Sequence, residues 1–495
     1  MPDLATAGAV FTLLFAILLF DGPSKLFRDS DTGWHIRTGE AILAEGRLPT
    51  HDPYSFTKAG QPWVAWEWGA DVLMGAAHRA GGPGGVALLY LAAIGACTWL
   101  WFRLHWAAGG DFLLACAMAS PMLSTVNIHW LARPHVFSWI LLLGWLWIAE
   151  RAPGRFQWRH AAAVAFLSAL WANLHASFFF LPLLCLLYAA GHLCSGWIWE
   201  DRERAGSPGW FAAMALASAA GSLLNPYGWQ LHVHLFAYLS NTELLERVGE
   251  FQSFNFHAEG AYQILLTVAL AGLGCVLALT QGKLAHFLVS AMLIGAALRS
   301  ARVLPLVALA VLPLANGALC EALREASGLR EGLRRRIQTF LRYGGNLGAI
   351  DGRLGGYLTA PLALALAFVV LQAPRVRART GFPPDQFPVG AAEQVEQLPE
   401  PARILHPDKY GGYLIYRFSG GRKVFFDGRS DFYGVQFMKD YIRLVQVRPG
   451  WQEKVTYYGF THALLPNDYS LVAALEAAGW KKLHTDRTAT LLAAP

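Results

Sequence analysis

Two aspartates separated by a single residue, Asp29 and Asp31, follow directly after the first long apolar stretch of the chain. Carboxylates this close together repel one another, and packing at a membrane exit gains nothing from them. Crowded carboxylates commonly act as a general base or bind a metal ion. The spacing therefore predicts a functional role for at least one of the pair, as a proton acceptor or as a ligand of a divalent metal such as Mg²⁺ or Mn²⁺.

Other polar residues gather in the short segments that separate apolar stretches. Ionisable groups near the membrane are costly and usually mark pathways or sites. Some have simpler explanations: Asn225-Pro-Tyr227-Gly is typical of a turn that ends a helix, and Arg299 and Arg302 can extend toward lipid headgroups. The set comprises His35, Asp52, Trp66, Glu67, His129, Arg133, His135, Asn173, His175, Asn225, Tyr227, Glu243, Glu246, Glu250, Arg299 and Arg302.

The composition places these residues in a membrane protein. The chain has 495 residues, of which 55% are hydrophobic and only 15% charged, against about 25% charged in a soluble globular protein. This balance excludes a disordered protein and disfavours an ordinary soluble enzyme. The formal charge of +6 does not come with the basic surface of a nucleic-acid binder, so no nucleic-acid partner is expected.

Apolar stretches of near-spanning length recur along the chain, since about 20 apolar residues cross a bilayer as a helix. They predict a mainly α-helical, polytopic membrane protein with about eleven transmembrane helices. The predicted spans are 4–20, 84–102, 112–128, 134–149, 161–176, 178–198, 209–224, 261–280, 284–298, 303–320 and 354–372.

The distribution of Lys and Arg sets the predicted orientation, because short cytoplasmic loops are enriched in both. A cytoplasmic N-terminus puts most of them inside, at Arg103, Arg151, Arg155, Arg159, Arg202, Arg204, Lys283 and the seven arginines of 324–353. The long first outside loop, with six Lys and Arg, runs against this trend. The prediction is an integral plasma (inner) membrane protein whose C-terminal domain is extracytoplasmic.

Two segments outside the membrane are long enough to do chemistry. Within the first, 21–83, the pattern predicts amphipathic helices over Gly33–Gly46 and Trp63–Ala80, the second lying along the outer bilayer surface on Trp63, Trp66 and Trp68. After a transmembrane part, 1–372, residues 373–400 form a proline-rich, extended linker.

The second segment, 401–495, alternates strand-like and helix-like runs, which predicts a small α/β domain. The strand-like runs are Ala402–His406, Lys423–Asp427, His462–Pro466, Lys481–Thr485 and Ala489–Ala493, with helices near 433–446 and 469–478. It contains no glycine-rich nucleotide-binding pattern.

Several strings resemble those of the GT-C superfamily, the polytopic glycosyltransferases that use polyprenyl-phosphate-linked sugars, and in particular a bacterial branch of undefined substrate. The resemblance covers the architecture of nearly the whole chain. It implies that an Asp of the first outside loop, here Asp31 or Asp29, is the catalytic base or a metal ligand. The strings are Asp29-Ser-Asp31-Thr-Gly-Trp34-His35-Ile-Arg-Thr-Gly39, Asp52-Pro53-Tyr54-Ser55-Phe56-Thr57, Trp66-Glu67-Trp68, Arg133-Pro134-His135, Asn173-Leu174-His175 and Tyr410-Gly411-Gly412-Tyr413.

The resemblance also implies roles for the other polar residues. Asp31 would be the general base, with Asp29 orienting it or sharing a metal. The donor phosphate would be bound by Arg133, His135, His175, Arg299 and Arg302, because guanidinium groups pair bidentately with phosphate. The sugar or acceptor would be bound by His35, Asp52, Trp66, Glu67, Asn173, Asn225 and Tyr227.

The expected function is transfer of a sugar from a polyprenyl-phosphate donor to a lipid, polysaccharide or protein hydroxyl, with inversion at the anomeric carbon. The W-W-D string of oligosaccharyltransferases is absent; the nearest sequence is Phe426-Asp427-Gly428-Arg429-Ser430-Asp431. The alternatives are a transporter or flippase of a lipid-linked substrate and a non-catalytic envelope assembly protein. An enzyme predicts that Asp31, Arg133, His175 and Arg302 converge in one cavity, whereas scatter around the rim favours the alternatives.

Overall fold

The apolar stretches form helices, in a computed structural model that describes residues 1–19, 21–152, 154–199 and 207–495. Arg202 and Arg204 of the orientation prediction, and the last residue of the first predicted span, lie outside the described residues. The helices up to residue 372 are α1 (Leu4–Leu18), α2 (Asp31–Glu45), α3 (Trp68–Ala107), α4 (Phe112–Val126), α5 (His135–Ala149), α6 (Trp158–Leu174), α7 (Phe180–Ile198), α8 (Pro208–Gly221), α9 (Trp229–Leu239), α10 (Thr242–Leu245), α11 (Ala261–Thr280), α12 (Leu284–Arg299), α13 (Leu304–Leu306), α14 (Leu312–Glu325), α15 (Glu331–Asp351) and α16 (Thr359–Gln372).

The length and hydropathy of these helices identify a membrane protein. Among the described residues, five helical segments are long and apolar enough to cross a membrane: Trp68–Ala107, Phe112–His129, Ala176–Ile198, Ala261–Thr280 and Ala301–Glu325. Four shorter apolar helices, α1, α5, α12 and α16, accompany them. The last of the five includes a π-helical turn over Val307–Val311 between α13 and α14.

Helix α3 differs from the prediction for 63–102. The predicted amphipathic helix starts at Trp68, not Trp63, and runs into the second predicted span through a break at Gly81 and Gly82, where Gly82 has a φ of +59°. Trp63 is buried at 5% exposure and Trp68 bonds to Asn173 at 2.8 Å. These two tryptophans therefore pack within the protein and do not rest on a bilayer surface.

Polar contacts gather at two opposite ends of the helix bundle. At one end Asp3 pairs with Arg103 at 2.6 Å, and Lys283 pairs with Glu321 at 2.5 Å. The other end holds the segments around Asp31, which lie after α1, between α4 and α5, after α6 and after α12. Helices that run alternately up and down produce this separation, so segments distant in sequence meet at one end.

The C-terminal part contains the predicted small sheet. Its strands are β1 (Ile404–Leu405), β2 (His462–Pro466), β3 (Lys481–Thr485) and β4 (Ala489–Ala493), in the order β1-β2-β4-β3, with β1 parallel to β2 and the other pairs antiparallel. The predicted strand at 423–427 does not form; Val424 makes only an isolated bridge to Ser55. The helices are α17 (Pro374–Arg377), α18 (Val389–Glu396), α19 (Asp408–Arg417), α20 (Ser430–Val445), α21 (Trp451–Tyr458) and α22 (Ser470–Ala477).

The proline-rich segment 373–400 is not extended throughout. It contains α18, whose Ala391, Ala392 and Val395 are fully buried. These side chains belong to the same apolar cluster as Trp34 of α2 and Tyr413 of α19. The segment therefore packs as part of the structure that covers the first outside loop.

A pair of glycines explains how the C-terminal part docks on that loop. A Cβ at Gly33 of α2 would overlap the carbonyl oxygen of Gly412 of α19, so α2 and α19 touch through their backbones. Arg37 then donates from Nε and Nη2 to the carbonyl of Tyr416, at 2.9 and 2.7 Å. The Tyr410–Tyr413 string is therefore a helix that fits closely on α2 because it carries Gly at the crossing.

Candidate active site

A cavity of about 1000 Å³ lies between the helix ends and the C-terminal part. It receives residues from the first outside loop, from the ends of four spanning helices, from the 229–253 region and from α19 and α20. Its charged and histidine lining residues are Arg28, Asp29, Asp31, Glu67, His129, Arg133, His135, His175, Glu246, Glu250, Arg299, Arg302, Asp408, Lys409, Arg429 and Asp431. Asp31, Arg133, His175 and Arg302 thus converge as an enzyme predicts.

Arg133 is the centre of the strongest charge cluster. Its guanidinium contacts Asp29 at 2.9 Å, Asp31 at 3.0 Å and Glu250 at 2.8 Å. Asp29 also accepts a hydrogen bond from the backbone N–H of Asp31 at 2.9 Å, so the two predicted acids are locked together. A short, fixed geometry of this kind is what a reaction site needs.

The single positive charge of Arg133 does not balance the carboxylates that surround Asp31. Burial raises the pKa of Asp31 to about 8; Arg133 opposes the rise, and the neighbouring Asp29, Asp427 and Glu250 add to it. Asp31 is only 6% exposed. Because several carboxylates share one guanidinium, Asp31 binds a proton more tightly than an isolated carboxylate does, which makes it a stronger base.

The pKa of Glu250 is shifted in the opposite direction to that of Asp31. Burial disfavours its charge, yet Arg302 and Arg133 hold its pKa well below the usual range. Arg302 contacts it at 2.7 Å. Glu250 therefore remains ionised and links the two arginines that face the cavity.

Glu67 connects the cavity to a buried histidine. Its Oε1 lies 3.5 Å from His175 Nε2, and its Oε2 lies 3.8 Å from His35 Nε2. His35 in turn contacts the buried Asp71 at 2.6 Å through Nδ1. Burial raises the pKa of Glu67 to about 7, with Arg133 among the groups that oppose the rise.

Arg429 brings the C-terminal part into the site. It pairs with Asp427 through Nε and Nη2, both at 2.7 Å, and with Asp52 through Nη2 at 2.8 Å. Its guanidinium lies 4.6 Å above the Trp63 ring. Nη1 has no hydrogen-bond partner in the described part of the chain. The cavity wall thus includes a guanidinium that two carboxylates hold beside an aromatic ring.

The structure brings most of the predicted phosphate and sugar ligands to the cavity. Asp29, Asp31, Trp66, Glu67, Arg133, His135, His175, Arg299 and Arg302 all line it. His135 approaches the carbonyl of His129 through Nε2 at 2.9 Å. His35 reaches the cavity only through Glu67.

The remaining predicted residues have structural partners elsewhere. Asp52 accepts from the backbone N–H groups of Tyr54 and Ser55 at 3.1 and 2.9 Å and pairs with Arg429. Its side chain therefore shapes the loop.

Asn173, Asn225 and Tyr227 also have their polar groups occupied. Asn173 accepts from Trp68 at 2.8 Å. Asn225 accepts from the N–H of Tyr227 at 2.8 Å, which makes the expected turn. The Tyr227 hydroxyl accepts from the N–H of Ala65 at 3.0 Å. None of the three lines the cavity.

The cation that Asp29 and Asp31 share in this structure is the Arg133 guanidinium. The described residues contain no group of three or more His, Cys, Asp or Glu side chains arranged to hold a metal ion. A divalent metal at the pair stays a prediction from the sequence.

Sequence reasoning did not single out Arg429, and it placed Glu250 among the clustered polar residues without assigning it a role. Glu250 belongs to the acidic group 243–250. Arg429 lies in the string noted as the nearest relative of W-W-D, but no local pattern places it beside Asp31.

The fold is similar to those of two solved proteins, AglB and ArnT, and to this extent it agrees with the resemblance drawn from the motifs. The AglB oligosaccharyltransferase of Archaeoglobus fulgidus is similar in the apo form and in complex with an inhibitory peptide and a dolichol-phosphate. Both comparisons have a TM-score of 0.55, identities of 10% and 11%, and cover 93% of this chain and 69% of the other.

ArnT from Cupriavidus metallidurans, bound to undecaprenyl phosphate, is similar over 99% of this chain and 97% of its own, with a TM-score of 0.50 and 13% identity. No protein-family model matches the sequence, and no curated protein matches it. At these identities the likeness concerns the fold.

Proposed function

We propose that this chain is a membrane glycosyltransferase that moves a sugar from a polyprenyl-phosphate-linked donor to a lipid, polysaccharide or protein hydroxyl. The observation that carries the proposal is the cluster of Asp29, Asp31 and Glu250 around Arg133, beside Arg302, in the wall of one large cavity. The fold supports it, since AglB has been seen with a dolichol-phosphate and ArnT with undecaprenyl phosphate.

In this proposal Asp31 is the general base. It takes the proton of the acceptor hydroxyl, whose oxygen attacks the anomeric carbon in line and inverts it, while the bond to the phosphate oxygen breaks. Arg133 and Arg302 stabilise the charge that develops on the leaving phosphate, an effect worth several kcal/mol in a water-poor site. Asp29 positions Asp31 through its hydrogen bond to the Asp31 N–H.

The other walls suit a sugar and a lipid chain. Trp63 and Trp66, beside the guanidinium of Arg429, form an aromatic surface for a sugar ring. On another side the wall is apolar, with Phe179, Phe180, Leu235, Leu239, Leu245, Phe251, Val303 and Leu306. An isoprenoid chain needs such a surface, because each apolar group that it buries contributes favourably.

We propose eleven spans, with the N-terminus cytoplasmic and residues 401–495 an extracytoplasmic domain after the segment 373–400. Five long and four shorter apolar helices account for nine of the spans. Helices α6 and α8, which coincide with the fifth and seventh predicted spans, complete the number. The cavity then lies at the extracytoplasmic end, away from Arg103 and Lys283.

The test uses the purified full chain in proteoliposomes with a panel of synthetic undecaprenyl-phosphate sugars. We expect release of undecaprenyl phosphate, detected by mass spectrometry, from at least one donor. Asp31→Asn should slow release by at least about 10²-fold, as expected for removal of a general base. Glu45→Gln, an exposed change on the same helix, is the matched control and should leave release unchanged. Unimpaired release by Asp31→Asn would overturn the assignment.

A further inference from the structure

Two imidazole rings, those of His175 and His35, lie beside the Glu67 carboxyl. The roles proposed above for Asp31, Arg133 and Arg302 do not use them. Glu67 precedes α3 and faces the cavity, with only about an eighth of its side chain exposed. His175, after α6, aims Nε2 at Oε1 from 3.5 Å. His35, in α2, aims Nε2 at Oε2 from 3.8 Å. Each carboxylate oxygen thus faces one ring nitrogen.

The hydrogen bonds behind the two rings fix which nitrogen faces Glu67. The backbone N–H of Ser177 donates to Nδ1 of His175 at 3.2 Å, so the proton of a neutral His175 is on Nε2. Nδ1 of His35 lies 2.6 Å from the Asp71 carboxyl. A carboxyl oxygen at Nδ1 accepts from Nδ1–H, so the proton of a neutral His35 is on Nδ1 and its Nε2 faces Glu67 as an acceptor.

Two glycines, Gly39 of α2 and Gly75 of α3, allow this arrangement. A Cβ at Gly39 of α2 would overlap the carbonyl oxygen of Asp71, and a Cβ at Gly75 of α3 would overlap the backbone of Gly39. The two helices therefore cross in backbone contact, which brings His35 to Asp71. His35 Nε2 and Asp71 Oδ2 are buried without a hydrogen-bond partner among the described residues, and packing alone gives no reason to bury them so.

We propose that Glu67, positioned by His35 and Asp71, donates a proton to the departing lipid phosphate. This deepens the proposed function and rests on it. As the bond between the anomeric carbon and the phosphate oxygen breaks, the Glu67 proton moves to a phosphate oxygen. The acceptor proton goes to Asp31, so charge and protons balance. Before the transfer, Nε2 of His35 faces the oxygen that carries the Glu67 proton, and afterwards the Nε2–H of His175 stabilises the carboxylate that Glu67 becomes.

The electrostatics of the site agree with this role. Burial raises the pKa of Glu67 to about 7, close to the second pKa of a phosphate monoester, about 6. Transfer between groups of similar pKa is efficient. The charges that face Glu67 are Arg133, Arg302, Asp431 and Glu250, besides the two histidines and Asp71. Burial holds the pKa of His35 well below its usual value, so this imidazole stays neutral.

The experiment measures the affinity of the full chain for undecaprenyl phosphate by calorimetry between pH 6 and pH 9. A phosphate group can bind beside a neutral Glu67, whereas an ionised Glu67 repels the negative charge of the phosphate. Relative to Glu67→Gln, wild type should lose at least about tenfold in affinity over this range, with proton uptake on binding. Glu45→Gln, at an exposed carboxyl of α2 outside the cavity lining, is the control and should titrate like wild type.

The positioning residues are tested by the midpoint of the same titration. Asp71→Ala should move the midpoint downward by about one pH unit, because His35 no longer holds the Nε2 acceptor toward the Glu67 proton. Asp71→Asn can still accept from Nδ1–H through its amide oxygen and should keep the wild-type midpoint. A purely structural role for Asp71 would weaken binding equally at every pH and overturn this part.

Two results would count against the proposal in different ways. Binding of undecaprenyl phosphate with the same pH dependence in wild type and Glu67→Gln would overturn the role of Glu67 alone. Absence of binding at every pH would overturn the lipid-phosphate donor of the proposed function and this inference with it.

Discussion

The backbone of Gly428 lies against the carboxylate of Asp31, so closely that a Cβ at position 428 would overlap Oδ1. The first outside loop and the C-terminal part thus meet at the proposed base. Gly428 belongs to the same loop as Arg429, whose guanidinium is tied to Asp52 of the first loop. The C-terminal part is therefore built into the site.

Gly428→Ala is expected to impair the reaction more than the fold. The added methyl group pushes Asp31 away from Arg133, and a shift of about 1 Å at a reacting group can cost about 10²-fold in rate. Release of undecaprenyl phosphate measures the effect. Gly345→Ala, at a helical position where an added Cβ meets nothing within 4 Å, is the control. Equal rates for the two variants would contradict the prediction.

Arg133→Gln is expected to destabilise the protein and abolish phosphate binding. The change leaves Asp29, Asp31 and Glu250 facing one another without their shared cation, and removal of one partner of a buried ion pair costs about 3–5 kcal/mol. Thermal unfolding in detergent and undecaprenyl phosphate binding measure the two effects. Adding Asp29→Asn should recover part of the stability and none of the binding. A double variant no more stable than Arg133→Gln would argue against the shared-cation explanation.

Asp31→Asn is expected to stabilise the protein at high pH while it stops transfer. The pKa of Asp31 is raised to about 8 in the folded state, so the folded state binds a proton that the unfolded state has lost, and stability falls as pH rises from about 4 to 8. An asparagine at position 31 does not titrate, so this loss of stability with rising pH is absent in the variant. The difference in Tm between variant and wild type should therefore widen from pH 5 to pH 8. A difference that stays constant over this range would show that Asp31 is already ionised at pH 5.

Arg429→Gln should be much more harmful to stability than Asp52→Asn. Loss of Arg429 leaves Asp427 and Asp52 buried without a cation, at a cost of about 3–5 kcal/mol. Loss of the Asp52 charge leaves the bidentate contact of Arg429 with Asp427 intact. Thermal unfolding of both variants gives the comparison. Similar losses would mean that Asp52 carries as much of the interaction as Asp427.

Much of the architecture follows from local sequence. Apolar length fixes the long helices, because a spanning segment must satisfy its backbone within itself. The alternation of helix ends then predicted that Asp31, Arg133, His175 and Arg302 lie at one side, and the cavity contains all four. The helices at 430–445 and 470–477 and four of five strands were also readable from local patterns.

What the sequence could not decide is which polar groups find partners. Asn173, Asn225 and Tyr227 have the same types and loop positions as true cavity residues, yet their hydrogen bonds go to neighbouring backbone and to Trp68. Residues 423–427 have strand-like composition, but the sheet offers them no continuous neighbour. Such outcomes depend on contacts between segments far apart in the chain.

Asp29 and Asp31 show most clearly what the sequence determined and what the tertiary structure decided. Their identity, spacing and place after the first apolar segment were enough to single out Asp31. Only the tertiary structure decided that Arg133 lies between them, that Glu250 and Arg302 complete the cluster, and that Gly428 closes over Asp31. The physical reason is that a helix span is a property of about twenty consecutive residues, whereas a charge cluster exists only where crossing helices bring distant residues within a few ångströms.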